Sequence, residues 1–462
     1  MADPRLEQTP AAADLAAGAH LAQLWMSRLA GWASIEHAAQ RRLHELVQFA
    51  RRHSRFYRQL YRGLPEDGNV DLADLPVVQK RSLMQHFDDA VTDPHVRLHS
   101  LERFFLDRDR IGELYRGRYL AWKSSGSTGT PGFFVHDAHA VAVYNALVAF
   151  QWSSHWTDSV RLVAGPIRAA LIVATGDHYA SIASWENMRR THPLWEARSF
   201  SALDPLADLV AQLNDYRPTL IAGYPSILLL LAEERRAGRL RTEPRLLWSG
   251  GEFLARAGHA RIERAFDCPL LEEYGASEFL SIAHGCAHGW LHVNADWVIV
   301  EPVEADGSPT RPGRISHTAL VTNLANRVQP LIRYDLGDRV LRLARPCRCG
   351  SVLPAIRVEG RCSDTLRLRS RDGANIPVVP LAMATAIEEA CGEHRFQVAQ
   401  VACDALAVRF ERGHQRAWPR ASAALRRYLA SQGLANVHAT LDAAEPRVDA
   451  SGKFRFVVNE TA

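Results

Sequence analysis

Between residues 160 and 249 short apolar runs take turns with amphipathic stretches, and this alternation constrains the fold more than any other feature of the chain. Val160–Gly165, Leu171–Thr175 and Leu246–Ser249 are too short for ordinary helices and too apolar for strands with a solvated face, so they read as buried strands. Leu203–Tyr216 and Ser226–Arg236 repeat their apolar residues at helical spacing. Strands alternating with helices predict an α/β layered domain.

The flanks differ in character. Upstream, Ile35, Ala39, Leu43, Leu46, Val47 and Ala50 form the apolar stripe of a helix over residues 34–52, and a second helical segment through Phe56–Tyr61 stops at Gly63 and Pro65. Residues 1–16 are expected to be disordered. Downstream, Trp297–Val340 is strand-rich, with turns at Asp306-Gly307 and Arg311-Pro312-Gly313. After Gly360-Arg361 the pattern changes to strands at Val398–Val401 and Leu406–Phe410 and a helix around Ala421–Gln432. The expected division is an N-terminal domain over 1–360 and a C-terminal α+β domain over 361–462. Acidic and basic residues are interspersed, with a formal net charge of +4, which excludes a nucleic-acid footprint. The longest aliphatic run, Ile227–Ala232, is far short of the ~20 residues that span a bilayer. No secretory leader pattern opens the chain, and seven cysteines suit a reducing compartment, so a cytoplasmic protein is expected.

The sharpest local motif is Lys123-Ser124-Ser125-Gly126-Ser127-Thr128-Gly129-Thr130-Pro131-Gly132. Small hydroxyl residues between glycines let backbone N–H groups and hydroxyls converge on phosphate oxygens. The Walker spacing is absent, which disfavours a P-loop kinase. Four further segments follow in order. Ser249-Gly250-Gly251-Glu252 can bring backbone against a flat base. Glu273-Tyr274-Gly275-Ala276-Ser277-Glu278 offers a ring and a carboxylate. Arg333-Tyr334-Asp335-Leu336-Gly337-Asp338 ends in a second carboxylate, and Ser451-Gly452-Lys453 lies near the C-terminus. Only Lys80, Lys123 and Lys453 are lysines among the 55 basic residues. A genome that favours arginine codons accounts for the scarcity; the alternative reading is that a retained lysine marks a place where a compact ammonium is not replaceable by a planar fork.

In this order the segments resemble the adenylate-forming superfamily of acyl-CoA synthetases, adenylation domains and luciferases. Arg51–Arg58, Leu75-Pro76-Val77-Val78-Gln79-Lys80 and Cys347-x-Cys349-Gly350 are most similar to phenylacetate–CoA ligases and deazaflavin-adenylating synthetases. The resemblance implies a large layered N-terminal domain and a small C-terminal domain joined by a hinge at Arg361. It implies ATP and Mg²⁺, with a carboxylic acid, aromatic or arylacetic, activated as its acyl-adenylate. Ser124, Ser125, Gly126, Ser127, Thr128 and Gly129 would then bind the β- and γ-phosphates. Gly250, Gly251 and Glu252 would flank adenine, while Tyr274, followed by Gly275, stacks on it. Ser277 would lie near the α-phosphate, and Glu278 would hold Mg²⁺. Asp338, with Arg361 beside it, would take the ribose hydroxyls, and Lys453 would bridge carboxylate and α-phosphate.

The implied acceptor is CoA. A carrier-protein thiol, an amine or a deazaflavin hydroxyl are alternatives within the same chemistry, and a non-catalytic nucleotide-binding protein is an alternative of another class. Three departures weigh on CoA: Ser363 stands at the hinge where Asp is usual, the phosphate loop ends Pro131-Gly132 rather than Pro-Lys, and Leu366–Pro380 is longer and more polar than usual. Relatives are often homodimers.

Cys286, His288 and His292 lie close together, and Cys347 and Cys349 follow ~55 residues on. Cys286, His292, Cys347 and Cys349 together could form a closed, structural zinc site. Cys268, Cys362, Cys391 and Cys403 read as small core residues. The sequence assigns no role to His136, His155, His178 or His192.

Overall fold

The computed structural model describes residues 10–65, 71–124, 131–154, 166–191, 196–252, 254, 256–358, 366–378, 380–391, 396–447 and 456–461. Its strands are β1 (Leu120–Lys123), β2 (Phe133–His136), β3 (Arg168–Val173), β4 (Glu196–Ser201), β5 (Leu220–Gly223), β6 (Leu246–Gly250), β7 (Leu270–Ala276), β8 (Phe279–Gly285), β9 (Leu291–Val293) and β10 (Val298–Val303). They continue with β11 (Thr318–Asn323), β12 (Tyr334–Asp335), β13 (Val340–Arg342), β14 (Ala355–Val358), β15 (Leu366–Arg369), β16 (Asn375–Val378), β17 (Phe396–Ala402), β18 (Ala405–Phe410), β19 (His438–Asp442) and β20 (Val457–Asn459).

The alternation read between residues 160 and 249 falls within one nine-stranded sheet, in the order β13-β14-β9-β8-β7-β6-β5-β3-β4. Strands β3 to β7 pair in parallel, and β8, β9, β14 and β13 continue antiparallel. Parallel neighbours need crossovers. These are the helices Ala180–Thr191, Leu206–Tyr216, Pro225–Arg236 and Arg256–Phe266, one after each of β3 to β6. Burial on both faces explains the uniformly apolar β5, which is buried at every position. Pro225 sits in the first turn of its helix, where its missing N–H costs nothing. The expected strand at Val160–Gly165 lies outside the described residues.

The segment around the phosphate motif is a separate β1–β2 hairpin, with Trp122 opposite Phe134 and Lys123 opposite Phe133. Strands β10, β11 and β12 form a third sheet. At the C-terminal end β17 and β18 sit between β20 and β19, with the helices Pro380–Cys391 and Trp418–Ser431 and a preceding β15–β16 hairpin. The result is the large and small α/β assemblies expected from sequence; the boundary expected near Arg361 falls outside the described residues.

Two expectations are corrected. Residues 1–16 are not uniformly irregular, because a helix runs Pro10–Ala30. It is held by tertiary contacts that its alanine-rich sequence does not advertise: Leu24 is fully buried, Trp25 packs on Phe150 at 4.7 Å, and Arg28 forks onto Asp296 and Asn294 at 3.0 Å. Cys403 is exposed rather than core, since it occupies the tight turn between β17 and β18; Cys391 is buried as expected, and Cys268 is half-buried. No helix among the described residues is long and apolar enough to cross a membrane.

Candidate active site

Ligands of open parallel sheets bind beyond the carboxyl ends of the strands, and the motifs singled out from sequence collect there. Gly250 ends β6, and Gly251 follows with φ +85, a left-handed conformation that a side chain resists. A Cβ on Gly251 would also meet the Tyr224 ring at 3.2 Å. Glu252 turns back to the helix Pro225–Arg236, where its Oε2 accepts from the Ser226 backbone N–H at 3.1 Å. Burial pushes its carboxyl up, opposed by the Ser226 bonds.

Strand β7 carries Tyr274 to the same end, and β7 and β8 are joined through a bulge between Tyr274 and Ala276. The Tyr274 hydroxyl donates to Asp338 Oδ2 at 2.6 Å, so two motifs 64 residues apart become one structure. Trp122 of the β1–β2 hairpin donates its Nε1–H to the Ser277 carbonyl at 2.8 Å. Asn323, at the end of β11, donates to the Glu278 carbonyl at 2.9 Å and to the Tyr144 hydroxyl at 3.0 Å. Glu278 is buried. His136 stacks on Trp122 with centroids 4.1 Å apart, and full burial pushes its pKa down to about 3, so it is a neutral packing element.

The hairpin neck is closed by Ser124: its N–H donates to the Gly132 carbonyl and its Oγ accepts from the Gly132 N–H, both at 2.8 Å. Lys80 donates to the same Oγ at 3.0 Å. Lys123 is ion-paired with Asp177. Ser124, Gly250, Gly251, Glu252, Tyr274, Gly275, Ser277, Glu278 and Asp338 are thus on described elements. Ser125, Gly126, Ser127, Thr128, Gly129, Arg361, Ser363 and Lys453 lie outside the described residues. Trp122, Asn323 and Lys80 were not assigned roles from sequence. A tryptophan whose N–H closes on a backbone carbonyl 155 residues away leaves no local signal, whereas the scarcity of lysine did point at Lys80.

No family model matches the chain. A phenylacetate-coenzyme A ligase of Thermus thermophilus is 24% identical over 378 residues, 78% of this chain and 77% of that protein. The solved 2-hydroxyisobutyryl-CoA ligase, in complex with 2-HIB-AMP and CoA in the thioesterification state, matches with a TM-score of 0.58 at 22% identity, covering 92% of this chain and 90% of that one. An open conformation of that ligase matches at 0.53 and 20% identity, over 93% and 92% of the two chains. The chain shares the fold of that solved ligase. The resemblance read from ordered motifs therefore holds at the level of architecture.

The cysteine cluster is a second candidate centre, at the antiparallel side of the nine-stranded sheet. Cys286 follows β8, His292 is on β9, and Cys347 and Cys349 lie in the loop between β13 and β14. Their ligand atoms all fall within 4.8 Å of one another, whereas His288 is not among them. Cys286 and Cys347 sulfurs are 3.9 Å apart, and Cys349 Sγ is 3.1 Å from His292 Nε2. His292 Nδ1 faces the Leu353 carbonyl at 3.3 Å, so it carries the proton and Nε2 presents its lone pair to the sulfurs.

Three sulfurs and one such nitrogen fit the donor set and size of tetrahedral zinc, and among the described residues no fifth ligand joins the cluster. We therefore expect the purified protein to carry about one zinc per chain. Cys349→Ser should lower that below about half an equivalent and reduce the thermal midpoint by several degrees. Metal analysis with a melting curve checks both; a metal-free wild type of unchanged stability would remove the assignment.

Proposed function

We propose that this protein is an AMP-forming acid–thiol ligase, which activates a carboxylic acid with ATP and passes the acyl group to CoA. What supports the reading above all is the joining of Tyr274 to Asp338 beside the Ser277–Glu278 turn, itself tied to the hairpin neck through Trp122. A flat aromatic ring, a carboxylate for ribose hydroxyls, a buried carboxylate and a glycine–serine loop are the parts that an adenosine triphosphate requires.

In the first step a substrate carboxylate oxygen attacks the α-phosphorus, and the bond to pyrophosphate breaks. Two anions must be brought together, so positioning and positive charge dominate the catalysis. Mg²⁺, when bound, neutralises phosphate charge; Glu278 is the residue proposed to hold it. Tyr274 and Asp338 orient the nucleoside, and Lys453 bridges the carboxylate and α-phosphate. In the second step the CoA sulfur, having lost its proton, attacks the acyl carbonyl and AMP leaves. The hinge at Arg361 is proposed to let the C-terminal domain turn between the two steps.

The acid is proposed to be aromatic or arylacetic. Trp152 and Trp248 meet edge to face at 5.8 Å, with Tyr224 buried nearby on the loop between β5 and its helix. An apolar ring fits such walls better than a short hydroxy acid does. The test is ATP–pyrophosphate exchange across a panel of aryl, arylacetic and aliphatic acids, followed by thioester detection with CoA. Exchange with aromatic acids and a CoA-dependent thioester are expected. Exchange with no acid would remove the ligase reading, and exchange without thioester would remove CoA as acceptor.

A further inference from the structure

The buried stripe of the helix Trp32–His53 is interrupted by a charge. Ile35, Ala39 and Leu46 follow helical spacing, and the turn between the last two brings in Arg42, which is only 7% exposed. Its guanidinium carbon stands 3.7 Å from the centre of the Trp297 ring, and Nη1 donates to the Asp296 carbonyl at 2.5 Å. The Asp296 carboxylate is taken by another arginine, since Arg28 forks onto both of its oxygens at 3.0 Å. Among the described residues no carboxylate forms an ion pair with Arg42. Burial pushes its pKa down to about 10, against the opposing pull of Asp296 and Glu45. A buried cation held by a carbonyl and an indole face is one whose charge is left largely uncompensated.

Beside Arg42 lies a cavity of about 200 Å³. Arg41 and Arg327 stand on its exposed rim with Glu45 between them, 3.4 Å from one and 3.5 Å from the other. The lining therefore holds three guanidinium groups against one carboxylate. Trp297, Leu46 and Leu324 supply apolar wall. His20, edge-on to Trp297 at 5.1 Å, is pushed down to about 4 by burial and by His139 and Arg42, so it adds no charge. The walls are fixed to one another: the Leu324 N–H donates to the Trp297 carbonyl at 3.0 Å, and the Arg327 N–H to Asp137 Oδ2 at 2.9 Å.

We propose that this cavity binds a small phosphate monoester, its phosphate on Arg42 with Arg41 and Arg327 closing from the rim, and its organic part against Trp297, Leu46 and Leu324. A guanidinium carries five N–H donors, of which the Asp296 carbonyl takes one from Arg42. Its planar fork can engage two oxygens of a tetrahedral anion at once. The excess of two positive charges matches a dianion. The volume is several times the roughly 30 Å³ share of one water, so a carbon skeleton fits beside the phosphate. None of these residues is among those assigned to ATP, and the proposal does not rest on the ligase reading.

Calorimetric titration of the full chain with phenyl phosphate, inorganic phosphate and succinate tests it. Phenyl phosphate should bind saturably, about threefold or more tighter than inorganic phosphate through its apolar contact. Arg42→Gln should weaken it by roughly 10- to 100-fold, the range for lost charge-assisted bonds. Two variants on the exposed rim leave the buried helix face intact. Arg327→Gln should weaken binding by about threefold, and Glu45→Gln should tighten it by about threefold, because it removes the carboxylate that competes for Arg41 and Arg327. General destabilisation does not produce that pair of opposite signs. No saturable binding would overturn the site, and binding that neither rim variant moves would place the anion elsewhere on the chain and overturn it equally. Succinate bound as tightly as phenyl phosphate would overturn the phosphate assignment.

Discussion

Lys453→Ala is expected to lower ATP–pyrophosphate exchange by roughly a thousandfold, the loss associated with removing a preorganised electrostatic contact to a developing charge. Thioester formation from supplied acyl-adenylate should survive within about threefold. The split follows from the charges involved. In the proposed adenylation step a carboxylate approaches a triphosphate, and a bridging ammonium from Lys453 would oppose their repulsion. In the second step the adenylate is already formed and the thiolate attacks a carbonyl, so the same ammonium has no repulsion left to relieve.

Residue 453 lies between two anchors on one strand. Arg447 is held by Gln397, which donates Nε2 to its carbonyl at 2.9 Å and accepts its N–H at 3.2 Å, while the Phe456 carbonyl accepts from Val398 N–H at 2.6 Å. β20 then pairs with β17, and Glu460 clamps Arg409 through both oxygens at 2.7 and 2.9 Å. The described residues on either side of Lys453, Arg447 and Phe456, are thus both tied to β17. Lys453→Arg should rescue little, because a planar fork does not replace a point charge between two oxyanions. Loss of both half-reactions to the same extent would show that Lys453 is structural.

The parts of this molecule visible in its sequence are those where one-dimensional pattern and physical constraint coincide. Buried parallel strands must be apolar on both faces and crossover helices must show a stripe, so the strands at Leu171–Thr175 and Leu246–Ser249 and the helices at Leu203–Tyr216 and Ser226–Arg236 were legible, while the other two crossover helices and β4, β5 and β7 were not read. The paired glycines at Gly250-Gly251 marked a tight turn, and Gly251 does lie against the Tyr224 ring. Hidden from the sequence were the long-range closures: Trp122 on Ser277, Asn323 on Glu278, Lys80 on Ser124. Each is a single side-chain bond between segments far apart; lysine scarcity singles out Lys80 as a residue, but nothing in the composition names the partner of any of them. The Pro10–Ala30 helix was missed for a related reason. Its exposed side holds Leu15, Met26 and Leu29, so it has no clean polar face, and its partner is a helix more than a hundred residues away.

The geometry of the β7–β8 turn also predicts one of the most damaging single methyl groups among the described residues. Gly275 has no unusual φ, so its requirement is space rather than backbone freedom. A Cβ there would stand 1.8 Å from the Leu280 carbonyl oxygen and 2.8 Å from its carbon, both backbone atoms that cannot rotate aside. Gly275→Ala must therefore part β7 from β8 at the bulge, and it should cost about 3 kcal/mol or more, at the upper end for overpacking. Gly307→Ala is the control: its position is open to solvent with φ +83, and only the left-handed backbone is penalised, by about 1 kcal/mol. Urea unfolding of the two variants compares these terms directly, through midpoints at equal slope. Because Tyr274 and Ser277 flank the same bulge, whatever Gly275→Ala protein folds should also bind AMP more weakly, with Tyr274 drawn off Asp338. Midpoints for the two variants within about 1 kcal/mol of each other would mean that the turn can open without loss, and that the Tyr274–Asp338 bond does not depend on the close approach of Leu280.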